Sequence, residues 1–136
     1  MVDKKSHVLK LFVLAGLGLC ACGGADDEAD ARQTVRDFVE ATNERDGERL
    51  CGDLVTQEFK EQATGASGDR VDRVCRQQLE LTTGLTLKLL AVGTTKIAGE
   101  RATVRTRLDI DGVKAPRLFA LEKEDGSWKL ASGSSE

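Results

Sequence analysis

The hydrophobic periods of this 136-residue chain predict an α+β fold, with N-terminal helices packed on a curved antiparallel sheet of about four strands. Three observations carry the prediction. Apolar residues recur at helical spacing from Ala31 to Leu79, and from Gly84 onward the period changes to two. Asp111-Gly112 and Asp125-Gly126 then fall between alternating runs, where short turns join antiparallel neighbours.

The first helix is expected from about Glu28 to Arg45, with Ala31, Val35, Phe38, Val39 and Thr42 on one face. Asn43 to Gly47 ends it, with Asp46-Gly47 as the breaker. A short second helix carries Leu50, Cys51 and Leu54, and Thr56 caps one more turn holding Phe59. Ala63 to Gly68 reads as a flexible loop. Asp69, with Asp72 three residues on, is placed to cap a further helix whose apolar face is Val71, Val74, Cys75 and Leu79.

The first strand is carried by Leu85, Leu87 and Leu89 and continues through Ala91 and Val92, with Thr94 to Glu100 as a turn region. In the second, Ala102, Val104, Thr106, Leu108 and Ile110 alternate with Arg101, Thr103, Arg105, Arg107 and Asp109, the signature of a half-buried strand. The third is expected over Arg117 to Lys123 and the fourth over Ser127 to Ala131, joined by Asp125-Gly126. Gly133 to Glu136 reads as a polar tail. There are no internal repeats.

The N-terminus is organised differently. Lys4, Lys5 and Lys10 precede the apolar run Leu11 to Leu19, which is followed by Cys20-Ala21-Cys22-Gly23-Gly24. A basic start, a short apolar core and then small residues form an export signal. The run is far shorter than the roughly 20 residues a membrane-spanning helix needs. Leu19 at −3 and Ala21 at −1 of Cys22 resemble the lipobox of bacterial lipoproteins, in which that cysteine takes the lipid. Cys20 fits less well, with the bulky Leu19 before it. An ordinary secretory cut at Ala21-Cys22-Gly23 and a cytosolic chain with an apolar start are the competing readings.

The division that follows is residues 1–21 as signal, 22–30 as lipidated cysteine and flexible linker, 31–132 as one domain and 133–136 as tail. Removing residues 1–21 from the 136 leaves 115, enough for a single core. The removed part holds Lys4, Lys5 and Lys10 against Asp3, so 17 of the 20 basic and 22 of the 23 acidic residues remain, a net of −5. An acidic domain argues against nucleic acid and against polybasic attachment to anionic lipid. The expected membrane contact is through acyl chains on Cys22, two or three by the lipoprotein resemblance, on the extracytoplasmic face of the cell membrane. The linker Gly23 to Asp30, fully extended, spans at most about 28 Å.

With Cys20 removed and Cys22 lipidated, Cys51 and Cys75 remain as an even pair. In an oxidising compartment a disulfide is the default. Their spacing does not suit redox chemistry of the CxxC kind. The one histidine, His7, lies in the signal, so a zinc site would have to rest on carboxylates. No metal and no cofactor is expected.

Beyond this, the chain resembles a nuclear-transport-factor-2-like (cystatin-like, α+β cone) lipoprotein. The residues concerned are Val35 to Ala41, Asp46 to Cys51 and Leu54 to Phe59, which resemble the long first helix, its Gly/Asp break and the short second helix. The closing hairpin Leu121 to Leu130, with Gly126-Ser127-Trp128-Lys129, resembles the ending of small exported members. The resemblance covers about residues 28–132. It implies a pocket between sheet and helices, which some members use for isomerase, hydrolase or dehydratase chemistry and others for binding ligands or partner proteins. Fold alone does not decide among these.

Enzymes on that fold typically use Asp, His or Tyr, and the mature chain has neither His nor Tyr. No carboxylate pair here has a spacing that demands acid–base work. The expectation is a non-catalytic domain that binds a small ligand or an envelope protein. Two alternatives are an accessory subunit of a cell-envelope enzyme and a small pocket enzyme. Phe38, Phe119 and Trp128 are candidates for lining an apolar pocket, against the plainer reading of ordinary core. Arg101, Arg105 and Arg107 are candidates for an anion site, against the plainer reading of a solvated face paired to Glu122 or Glu124.

Overall fold

The structure, a computed structural model, describes residues 23–136, with side chains from Asp26 onward. The signal segment, Cys20 and the lipid-attachment residue Cys22 lie outside the described residues. Four α-helices are followed by four strands: α1 (Gly23–Glu44), α2 (Gly47–Arg49), α3 (Gln57–Thr64), α4 (Val71–Leu81), β1 (Leu87–Ala98), β2 (Arg101–Ile110), β3 (Val113–Glu124) and β4 (Ser127–Ser135). The strands form one antiparallel sheet in the order β1-β2-β3-β4, so each hairpin joins neighbours.

Gly23 to Asp30, expected to be a linker, are helical within α1. The cause lies in what the helix start touches: Asp27 is bonded by Trp128 and Lys123. Acidic side chains also suit the positive end of the helix dipole. Ala31, Val35 and Val39 are buried, as the periodicity requires, and Phe38 is half-buried. The helix stops at Arg45, which is left-handed at φ 54, and the Asp46 amide closes on the Ala41 carbonyl at 2.9 Å. Asp46 then caps α2 by accepting from the Arg49 amide at 3.1 Å.

The expected second helix is one α-helical turn running into a π-helical turn over Leu50–Leu54, with Leu50, Cys51 and Leu54 buried. Thr56 caps α3 as expected, accepting from Phe59. Asp69 does not cap α4. It sits in a 3-10 turn (Gly68–Arg70) that runs straight into the helix, whose N-cap is Arg70. Asp72 instead meets the buried Lys60 at 2.6 Å and ties α4 to α3. Cys51 and Cys75 are joined, fastening the π turn to α4.

Four sheet boundaries differ from the periodicity reading, the first being that β1 begins at Leu87 rather than Leu85, since the backbone pairing with β2 starts there. β1 continues through Thr94 to Ala98, because bulges between Leu89 and Ala91 and between Val92 and Thr95 shift its phase without ending it. β3 begins at Val113 rather than Arg117. Pro116 is tolerated where β3 has β2 alone for a partner, since β4 pairs only from Arg117. β4 runs to Ser135, so Gly133 to Ser135 are strand and not tail. Gly133 lies under the Phe119 ring, where an added Cβ would be 3.2 Å from Cε1.

The bulges bend the sheet around α1. Its inner face carries Leu87, Ala102, Val104, Leu108, Phe119, Leu121, Trp128 and Leu130 against Ala31, Val35, Val39 and Leu54. α1 is pinned to the β1 edge at two points. Arg32 Nε donates to Thr95 Oγ1 at 2.8 Å, and the Asn43 amide exchanges two bonds with the Leu87 backbone, at 2.7 and 2.8 Å. The Asn43 amide thus imitates a neighbouring strand at one point of an otherwise open edge. The opposite edge is partly covered by Val55, bridged in parallel to Leu130.

Candidate functional site

The three rings expected to line a pocket are divided. Phe38 meets Phe119 with centroids 6.0 Å apart and planes tilted by 59°, a favourable edge-to-face geometry. The two rings pack against each other between α1 and β3. Trp128, only 5% exposed, lies at the other end of the core. It borders a cleft of about 400 Å³ between α1, the π turn and the β3–β4 hairpin that neither phenylalanine lines.

That cleft is polar. Its wall carries Asp27, Asp30, Asp37 and Asp53 with Lys123. Asp27 Oδ1 accepts from Lys123 Nζ at 2.8 Å and from Trp128 Nε1 at 3.2 Å. Lys123 Nζ also stands 5.1 Å from the Trp128 ring centroid. The Lys123 bond holds the Asp27 carboxyl below its usual range; partial burial opposes this, and the Trp128 bond reinforces it. Asp37, also in the lining, is bridged from outside it by Arg49 at 2.9 Å, which reaches Glu40 as well at 3.3 Å. Three of these groups were hidden from periodicity: Asp27 and Asp30 lay in a presumed linker, and Lys123 was one of many strand lysines. The clue was Trp128, whose indole N–H needs a partner when the ring is buried.

The arginine stripe lies on the outer face of the sheet, away from the helices. Arg101 reaches Glu122 at 3.7 Å and Arg105 reaches Glu136 at 2.8 Å. Arg107 has no ion pair among the described residues. Cys51 and Cys75, with Cα atoms 6.1 Å apart, stand apart from both the cleft and the stripe. Among the described residues, no group of three His, Cys, Asp or Glu side chains is placed to hold a metal ion. No helix among them is long and apolar enough to cross a membrane.

No protein-family model and no curated protein matches this chain. Solved structures do. A conserved protein from Planctomyces limnophilus DSM 3776 is 18% identical, with a TM-score of 0.56 over 80% of this chain and 94% of that one. A domain of unknown function with a cystatin-like fold from Nostoc punctiforme PCC 73102 is 14% identical, with a TM-score of 0.56 over 82% of this chain and 78% of its own. At such identities the likeness speaks for architecture alone. Helices first, then a curved four-stranded antiparallel sheet wrapped around the longest of them: the chain has the cystatin-like, nuclear-transport-factor-2-like fold.

Proposed function

We propose that the protein is a lipoprotein held on the extracytoplasmic face of the cell membrane by acyl chains on Cys22, and that its single domain binds rather than catalyses. The packed interior carries the second half of this reading. Phe38 packs on Phe119, and Phe119 on Gly133, within the core between α1 and the sheet. Binding is left to surfaces and open clefts. In the polar cleft, Asp27 is unsuited to act as a general acid at neutral pH. A general acid needs a carboxyl raised toward neutral pH, whereas Asp27 is held ionised by Lys123.

The start of α1 bears on the anchor. Gly23, the first described residue, is already helical, so lipid on Cys22 would place the Asp27 end of the domain, with the Asp125-Gly126 turn, nearest the bilayer. The test is fractionation of cells carrying Cys22→Ser. The wild-type chain should sediment with membranes and the variant should be released. An unchanged membrane fraction would remove the anchor from the account.

A further inference from the structure

The bulge between Val92 and Thr95 has a chemical consequence. Val92 pairs with Thr106 and Thr95 with Val104, so Gly93 and Thr94 together face the single residue Arg105. A two-against-one bulge re-aims the side chain it displaces. Here it opens a cavity of about 140 Å³ on the outer sheet face, lined by Thr94, Lys96, Thr103, Arg105 and Leu118. Gly93 packs on the Arg105 backbone, where a Cβ would make an ordinary contact at 3.4 Å with the carbonyl oxygen.

The lining is two cations and two hydroxyls over an apolar floor. That donor set matches a tetrahedral oxyanion, which presents several acceptor oxygens to several donors. The volume equals about four to five waters of liquid, room for one such anion with part of its shell. The surrounding face is basic. Lys88, Lys96, Arg107 and Lys114 form no ion pair among the described residues. Among its carboxylates, Asp109 accepts from the Gly112 amide, Glu122 pairs with Arg101, Glu124 with Lys129 and Glu136 with Arg105, while Glu100 beside Arg101 has no ion pair among the described residues. Glu136 is the telling one. An acidic side chain already sits on Arg105 at 2.8 Å, as an anion at this site would. Exposed pairs of this kind are weak, so it is displaceable.

We propose that this bulge-built cavity is an anion site for a phosphate group, and that Glu136 is its resident competitor. This names a ligand class for the binding role proposed above and rests on it. A free phosphate and a phosphate ester on a larger molecule offer the same oxygens, so both are titrated into the full chain in mild detergent at low salt. Calorimetry should show saturable binding of inorganic phosphate. Arg105→Gln should weaken it about tenfold or more, the loss of a charge-assisted contact. Glu136→Gln should tighten it about two- to fivefold, the release of an exposed ion pair. Tighter binding of glycerol 3-phosphate than of phosphate assigns the site to the head of a larger molecule, and equal binding assigns it to the bare anion. No saturable binding, or equal affinity in wild type and Arg105→Gln, overturns the site. Unchanged affinity in Glu136→Gln overturns the competitor role. Both variants lie on the exposed face, and far-UV circular dichroism checks that they fold. Failure here with Cys22-dependent sedimentation intact would sink the phosphate site and leave the anchor standing.

Discussion

Replacing Cys51 and Cys75 together by Ala tests how the helical half of the domain is held. The bond closes a 24-residue span that runs from the π turn through α3 to α4. Freeing a loop of that length raises the entropy of the unfolded chain by an amount worth about 3.4 kcal/mol at 25 °C. Cys51 is 1% exposed, so removing its sulfur also leaves a small void, worth up to about 1 kcal/mol. The double variant should therefore lose about 3.5–4.5 kcal/mol, which corresponds to a fall of about 12–20 °C in Tm. Urea unfolding read by the fluorescence of Trp128, the one tryptophan, reports the core. Far-UV circular dichroism reports the helices. The variant should also show a slightly steeper denaturant slope, because its unfolded chain is less compact. A loss below about 1 kcal/mol with an unchanged slope would refute the reasoning, because the closed loop would then not be constraining the unfolded chain.

Other parts of the account make separate predictions. Asn43→Ala removes both bonds to the Leu87 backbone and should cost about 1–2 kcal/mol, with faster hydrogen exchange at the Leu87 amide. Gly133→Val drives a branched side chain into the Phe119 ring and should cost about 1–3 kcal/mol in thermal unfolding. Asp27 has a lowered folded-state pKa, so its contribution is present above the unfolded value near pH 4 and lost as pH falls through the folded value. Asp27→Asn should consequently lose less stability than wild type between neutral pH and pH 3, measured by urea midpoints across that range.

The order of elements was legible because the two periods are clean where each element meets one core face. β2 shows this best: Ala102, Val104, Thr106 and Leu108 are buried, while Arg101, Arg105 and Arg107 are exposed. Legibility failed where register, rather than pattern, decides. The two bulges in β1 break the alternation between Leu89 and Thr95, with Val92 alone on the other phase, so the stretch beyond them reads as turn although β2 pairs with it and Thr95 and Ile97 face inward again. Gly133-Ser134-Ser135 has little strand propensity of its own and is ordered by Arg117 to Phe119 across the ladder. The same limit hid the cavity. Arg105 was visible in the stripe, but only the bulge brings Thr94 and Lys96 to it. Phe38, Phe119 and Trp128 stood out in the sequence as candidate pocket lining or ordinary core, but sequence could not say that α1 would seat Phe38 on Phe119 and leave Trp128 to a different cleft.

The intact mass of the chain extracted from membranes tests the central claim most directly. The account predicts a chain that starts at Cys22 and carries acyl mass there, with two hydrogens missing for the Cys51–Cys75 bond. A mass that fits an unmodified Cys22 would contradict it.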